Sequence, residues 1–193
     1  MVLFPRYHLI EVGDQAWCPG WLLAYLQSYL TEIWSLHIPG FSKTSPAGVA
    51  CNIINRNLPD ASSFTFVDLC AGAGGPIPVL DSALNKNLQA EGDGPSLFIL
   101  SDLHPRLEEW QAIAKSHDNI SYIKEPLDAT KCERVAPPGR KECRIFNLCF
   151  HHFQDDEASA ILGSALDSAD AFMYALHESL FQSIALFVYP QYE

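Results

Sequence analysis

Phe64-Thr65-Phe66-Val67-Asp68-Leu69-Cys70-Ala71-Gly72-Ala73-Gly74-Gly75-Pro76 reads as a buried strand ending in a carboxylate, followed by a glycine turn and the start of a helix. The run Phe64 to Leu69 has the length and β-rich composition of a parallel strand. Gly72, Gly74 and Gly75 free the backbone for a tight turn, and Pro76 suits the first turn of the helix behind it. Strand, glycine loop and helix in this order form the half-unit that holds nucleotide-like ligands at the carboxyl edge of a doubly wound sheet.

The loop itself narrows the ligand. A dinucleotide fingerprint starting at Gly72 requires glycine or alanine at position 77, where the chain has Ile77. A phosphate-binding P-loop requires a lysine, and none occurs between Phe64 and Asn85. What stands ahead of the glycines is Asp68, a poor neighbour for a polyphosphate and a good one for a cation. A sulfonium cofactor that also carries an ammonium group has the matching sign.

On these residues the chain resembles the class I, Rossmann-like S-adenosylmethionine-dependent methyltransferases. The first motif of that family is an acid, a spacer and a glycine-rich turn, and Val67 to Gly75 is similar to it. Cys70 departs from the pattern, standing where many members carry the first glycine. Later segments keep the family's order. Ser96 to Asp102 is a second strand candidate ending in an acid, at roughly the βαβ repeat distance of about thirty residues. The resemblance implies that Asp102 holds the ribose hydroxyls, with Leu103 beside the adenine. It implies that Asp128, with Ala129 beside it, reads the adenine amino group from the loop after a third strand candidate at Asn119 to Lys124. Read from the residues alone, Asp102 also suits a cap for a helix near Pro105, and Asp128 a turn carboxylate.

A fourth strand candidate, Cys143 to Phe150, runs into His151-His152-Phe153-Gln154-Asp155-Asp156. Many small-molecule methyltransferases have a similar Phe-His-His-Phe stretch at this point. The resemblance places Asn147 against the cofactor. His151, beside the edge of this strand, is the candidate general base for a hydroxyl acceptor, and a structural role in the loop is the other reading of it.

The implied fold is α/β, a Rossmann-like three-layer sandwich with a mainly parallel sheet. Residues 1–58 form an added N-terminal helical cap, 59–176 the cofactor-binding core and 177–193 a short tail, within one domain. In the cap, Leu22, Leu26, Tyr29, Leu30, Ile33 and Trp34 recur at helical spacing, and a second helix is predicted from Ser45-Pro46 to about Asn57. Trp17, Trp21, Tyr25 and Trp34 are candidate acceptor contacts. After a fifth strand candidate at Asp170 to Leu176, seventeen residues remain, enough for one short helix or one strand. The family's further helix and antiparallel hairpin do not fit, so the chain reads as cut short. An exposed sheet edge or the apolar tail, Leu180 to Tyr189, would then favour a homodimer.

Composition supports one globular unit. The 193 residues are 48% hydrophobic, without repeats or low-complexity tracts. A net charge of −11 with scattered Lys and Arg makes nucleic acid a poor partner. No apolar run reaches the roughly 20 residues of a membrane span, and nothing at the start reads as a signal peptide. Six cysteines without a Cys-x-x-Cys pair suggest buried thiols in a reducing cytoplasm rather than a metal site. The expectation is a small-molecule methyltransferase using S-adenosylmethionine. An inactive cofactor-binding or interaction protein derived from the same fold is the alternative.

Overall fold

The computed structural model describes residues 17–37, 44–178 and 181–188. Leu180 and Tyr189, which bound the apolar tail, lie outside the described residues.

Phe64–Asp68 forms β1, with all five residues buried, as a parallel strand covered on both faces requires. It pairs in parallel with β2 (Leu97–Leu100) on one side and β4 (Lys141–Asn147) on the other. Beyond β2 lies β3 (Ile120–Tyr122), and beyond β4 lies β5 (Ala171–Glu178), both again parallel. The sheet order is β3-β2-β1-β4-β5-β6, and β6 (Phe181–Val188) runs antiparallel to β5. This is the Rossmann-like arrangement implied by the resemblance. Of the two forms open to the tail, residues 181–188 take the strand. Among the described residues no helix lies between β5 and β6 and there is no seventh strand.

Two helices, α1 (Gly20–Ser35) and α2 (Pro46–Asn57), precede the sheet, and α2 packs against β6 and α3 (Ile77–Glu91). Ser45 caps α2 as expected, its hydroxyl accepting from Gly48 N at 3.2 Å. α4 (Leu107–Ser116) connects β2 to β3, and α5 (Asp155–Ser168) connects β4 to β5. The period-two alternation of β1 divides the core. Phe64 and Phe66 join Ile54, Ile77, Leu80 and Trp110 on one face, while Val67 and Leu69 join Phe146, Ile161 and Ala165 on the other.

Several boundaries differ from the sequence expectation: β2 and β3 are shorter at both ends, β4 stops at Asn147 and β5 runs on to Glu178. The segment Gln89 to Pro95 reads as a loop, yet α3 continues through Glu91, because Gln89, Ala90 and Glu91 are good helix formers and Gly92, at φ 87°, supplies the left-handed cap. β4 begins at Lys141, where Lys141 and Glu142 pair with Phe64 and Thr65.

The chain leaves β1 toward β2 and returns on its other side as β4. The carboxyl ends of β1 and β4 therefore open into a crevice, the switch point where doubly wound sheets bind ligands. Gly74 fixes the turn beside it. Its φ is 112°, and a Cβ there would run into Ile113 Cδ1 of α4. Gly74→Ala is expected to lower stability by about 2 kcal/mol, or roughly 4–8 °C in Tm for a chain of this size; thermal unfolding checks this.

Candidate functional site

At the crevice lies a cavity of about 550 Å³, inside the range of roughly 300–1,000 Å³ usual for small-molecule sites. Asp68, Gly72 and Asn147 line it from the ends of β1 and β4. Asp102 and Leu103 line it after β2, and Asp128 and Ala129 after β3. Two residues singled out from the sequence do not. Gly74 packs on α4. His151 is exposed and outside the lining, whereas His152 is part of it.

Asp68 is fully buried. Its carboxylate accepts from Asn147 Nδ2 at 2.8 Å and from Cys70 N at 3.3 Å. No cation pairs with it among the described residues. Burial pushes its pKa from 3.8 up to about 7, against the pull of those two hydrogen bonds and helped by the Asp102 charge. Ser101 holds its backbone, with N and Oγ both donating to Asp68 O at 2.9 and 2.8 Å. A buried carboxylate without a counter-charge, facing a cavity, has the arrangement that a ligand cation completes.

Asp102 does not cap α4, whose N-cap is Arg106. Instead its Oδ2 accepts from Gly72 N at 3.0 Å and its Oδ1 from His104 N at 2.9 Å. One carboxylate therefore ties the glycine loop to the end of β2, and each oxygen keeps a lone pair for a ligand hydroxyl. Trp110, buried on α4, secures the loop from below by donating Nε1 to Gly72 O at 2.8 Å. Neither Ser101 nor Trp110 is visible as a site residue in the sequence, because each acts through a backbone carbonyl.

Asp128 fulfils the turn reading and also lines the cavity. Its Oδ1 accepts from Thr130 N at 2.9 Å and Thr130 Oγ1 at 2.7 Å, and Lys131 Nζ lies 3.2 Å from Oδ2. The Thr130 hydrogen bonds hold its pKa below the usual carboxylate range. Cys70 has no positive φ, so its position does not require glycine. Leu148 is the one described non-glycine residue with positive φ, at 51°. Its strained turn, of order 1–2 kcal/mol, bends the chain out of β4 and places Leu148 and Cys149 in the cavity wall. The neighbouring Cys70 thiol and burial raise the Cys149 thiol well above the ordinary range, which makes it wall rather than nucleophile.

The two histidines are placed differently. Phe150–His152 is a 3₁₀ turn, in which successive side chains diverge by about 120°. Phe150 therefore enters the core, His152 faces the cavity and His151 points elsewhere, although the two imidazoles touch with centroids 3.9 Å apart. Of the aromatic residues in the cap, Trp34 lines the cavity, whereas Trp17, Trp21 and Tyr25 are exposed. Among the described residues no group of His, Cys, Asp and Glu is placed to hold a metal ion, and no helix is long and apolar enough to cross a membrane.

No family model matches the chain, and no curated protein does. Solved structures similar to it include a Thermoplasma acidophilum protein, at 13% identity and a TM-score of 0.47 over 69% of this chain and 61% of the other. An O-methyltransferase family protein from Burkholderia thailandensis has 17% identity and a TM-score of 0.39, over 67% of this chain and 40% of its own. An S-adenosylmethionine-dependent methyltransferase from Mesorhizobium loti has 19% and 0.35, over 65% and 51%. The chain thus spans less than two thirds of each of these three. Likeness at this level assigns neither residues nor activity.

Proposed function

We propose that the cavity binds S-adenosylmethionine and that the chain transfers its methyl group to a small-molecule acceptor. The observation that carries this reading is Asp68, buried and without a cationic partner among the described residues, directly ahead of the glycine loop. Asp102 and Asp128 face the same cavity. Three carboxylates repel a pyrophosphate and attract a sulfonium or an ammonium, so the charge of the site favours a methyl donor over a dinucleotide.

Bound there, S-adenosylmethionine supplies an electrophilic methyl carbon on a sulfur that leaves as a neutral thioether. The protein holds and shields. Asp68 meets the ammonium, directly or through the loop amides that it anchors. Asp102 offers its remaining lone pairs to the ribose hydroxyls, and the half-exposed Leu103 lies where an adenine face would cover it. Asp128 and Ala129 flank the base, and Asn147 keeps Asp68 oriented through its amide. Trp34 and α1 close the acceptor side and exclude water, which leaves orientation of the acceptor as the main task.

A hydroxyl acceptor must also lose its proton, and His152 at the rim takes the role first expected of His151. His152→Ala is expected to reduce turnover about 100-fold while affinity for S-adenosylhomocysteine stays within twofold. His151→Ala should leave both nearly unchanged. Single-turnover transfer of labelled methyl to a metabolite extract tests the activity itself. Binding without any transfer would sink the enzymatic reading and leave a cofactor-binding protein. The free cysteines fit a reducing compartment, so the cytoplasm is the proposed location.

A further inference from the structure

α1 presents apolar side chains on both of its faces. At 100° per residue, half-buried Leu22, Leu26 and Ile33 and buried Trp34 fall on the side toward the fold. The opposite side should be polar in an ordinary surface helix. Instead, Trp21 and Tyr25 stand there, and Tyr29, four residues on, continues the stripe as it winds back to the edge of the fold-facing side beside Leu22; Trp17 stands just ahead of the helix. Their exposures are 73%, 65%, 54% and 68% in that order. The sixteen residues of α1 contain one charge, Glu32, and no basic side chain.

We propose that this aromatic face is the contact between two copies of the chain, paired antiparallel through α1. Scattered exposed apolar residues need no explanation, but four exposed aromatics within thirteen residues, three of them on successive turns of one helix, form a patch of the kind that marks an interface. Four such side chains buried from their present exposure cover on the order of 500 Å² per copy, or about 1,000 Å² for the pair, which reaches the lower bound of a specific interface. The spacing is also self-complementary. In an antiparallel pair with its two-fold axis near position 23, Trp21 of each copy meets Tyr25 of the other, with Trp17 and Tyr29 flanking that central contact. An isologous contact requires such a match of a surface with itself.

Charge argues against other occupants. A bilayer rich in anionic lipid would repel a chain of net charge −11, and α1 lacks the lysines and arginines that interfacial helices carry on their polar side. A basic peptide would find no row of acids on this face. The patch lies opposite Trp34, so it is separate from the cavity wall, and its test does not depend on what the cavity binds.

Sedimentation velocity of the full chain between 1 and 100 µM is expected to show a dimer in the micromolar range. Trp21→Glu together with Tyr25→Glu should weaken association at least 100-fold, with an unchanged circular dichroism spectrum. If that variant fails to fold, the wild-type chain still decides the matter. On dilution through the dissociation constant its tryptophan emission should shift to the red as Trp17 and Trp21 enter water. A monomer at 100 µM, a dimer untouched by the double substitution, dilution without any emission shift, or cosedimentation of a monomer with phosphatidylcholine vesicles would each overturn the proposal.

Discussion

Asp68→Asn is expected to weaken S-adenosylhomocysteine binding at least 100-fold at pH 8 and yet leave the ligand-free protein as stable as before, or more so. The two halves of this result have one cause. Asp68 is fully buried with no cation beside it among the described residues, and burial raises its pKa to about 7. A carboxyl whose folded pKa lies above its unfolded value takes up protons on folding. Stability of the ligand-free protein therefore falls as pH rises from near 4 through 7, by up to about 4 kcal/mol for a rise of about three pH units. Asparagine removes that penalty. The Asn147 amide, which now donates to Asp68 Oδ2 at 2.8 Å, can turn over and offer its oxygen to the new side chain, so no buried donor is stranded.

A bound ammonium reverses the balance, because it favours the ionised carboxylate. Ligand affinity should accordingly rise with pH through 7 in the wild type and be flat in the variant. Losing one partner of a buried charge pair costs about 3–5 kcal/mol, which is a factor of several hundred or more in affinity. Calorimetric titration at pH 6 and pH 8, alongside thermal unfolding at the same values, measures both halves. Wild-type affinity retained by Asp68→Asn would remove the carboxylate from the site.

Arg144→Met is expected to lower stability by about 3–5 kcal/mol, equivalent to roughly 10–15 °C in Tm. Arg144 and Glu142 are both inaccessible to solvent, with Nε 2.9 Å from Oε1. The guanidinium also donates to Ser164 Oγ on α5 at 3.0 Å and to the carbonyls of Cys132 and Glu133 at 2.7 and 3.1 Å. Glu142 Oε2 in turn accepts from Val135 N and Ala136 N at 2.6 and 2.7 Å. The pair thus fastens the segment after β3, and α5, to β4. Removing the arginine leaves a carboxylate charged and buried with no counter-ion. Adding Glu142→Gln to Arg144→Met should recover part of the loss by removing the stranded charge, whereas a purely steric role for Arg144 predicts no recovery. Denaturant unfolding of the single and double variants distinguishes these.

The sequence carried the glycine loop in full, because a strand, an acid and three glycines are a local pattern and the backbone obeys it locally. Asp102, Asp128 and Asn147 were legible for a related reason: Asn147 closes β4 and the other two stand in the loops that leave β2 and β3, and parallel strands bring their carboxyl ends to one edge of the sheet. The charged pair on β4 has no such local signal. Glu142 and Arg144 share one face of the strand at i, i+2, but that they face the core follows only from α5 covering them. His151 and His152 were indistinguishable as neighbours in sequence, since the turn that separates them is a three-residue 3₁₀ element with no periodic signal. Trp17, Trp21, Tyr25 and Trp34 are candidate acceptor contacts in the sequence because the resemblance implies N-terminal helices lying over the cofactor pocket. Only Trp34 has that position, since a helix can show just one face to the cavity.

The central claim is that the cavity between the ends of β1 and β4 is an S-adenosylmethionine site. Calorimetric titration of the full chain at pH 8 with S-adenosylhomocysteine, and separately with NAD, tests it most directly. One equivalent of S-adenosylhomocysteine should bind with a dissociation constant on the order of 1–100 µM, and NAD should give no binding heat. Absence of S-adenosylhomocysteine binding at 100 µM protein, or saturable binding of NAD in its place, would contradict it.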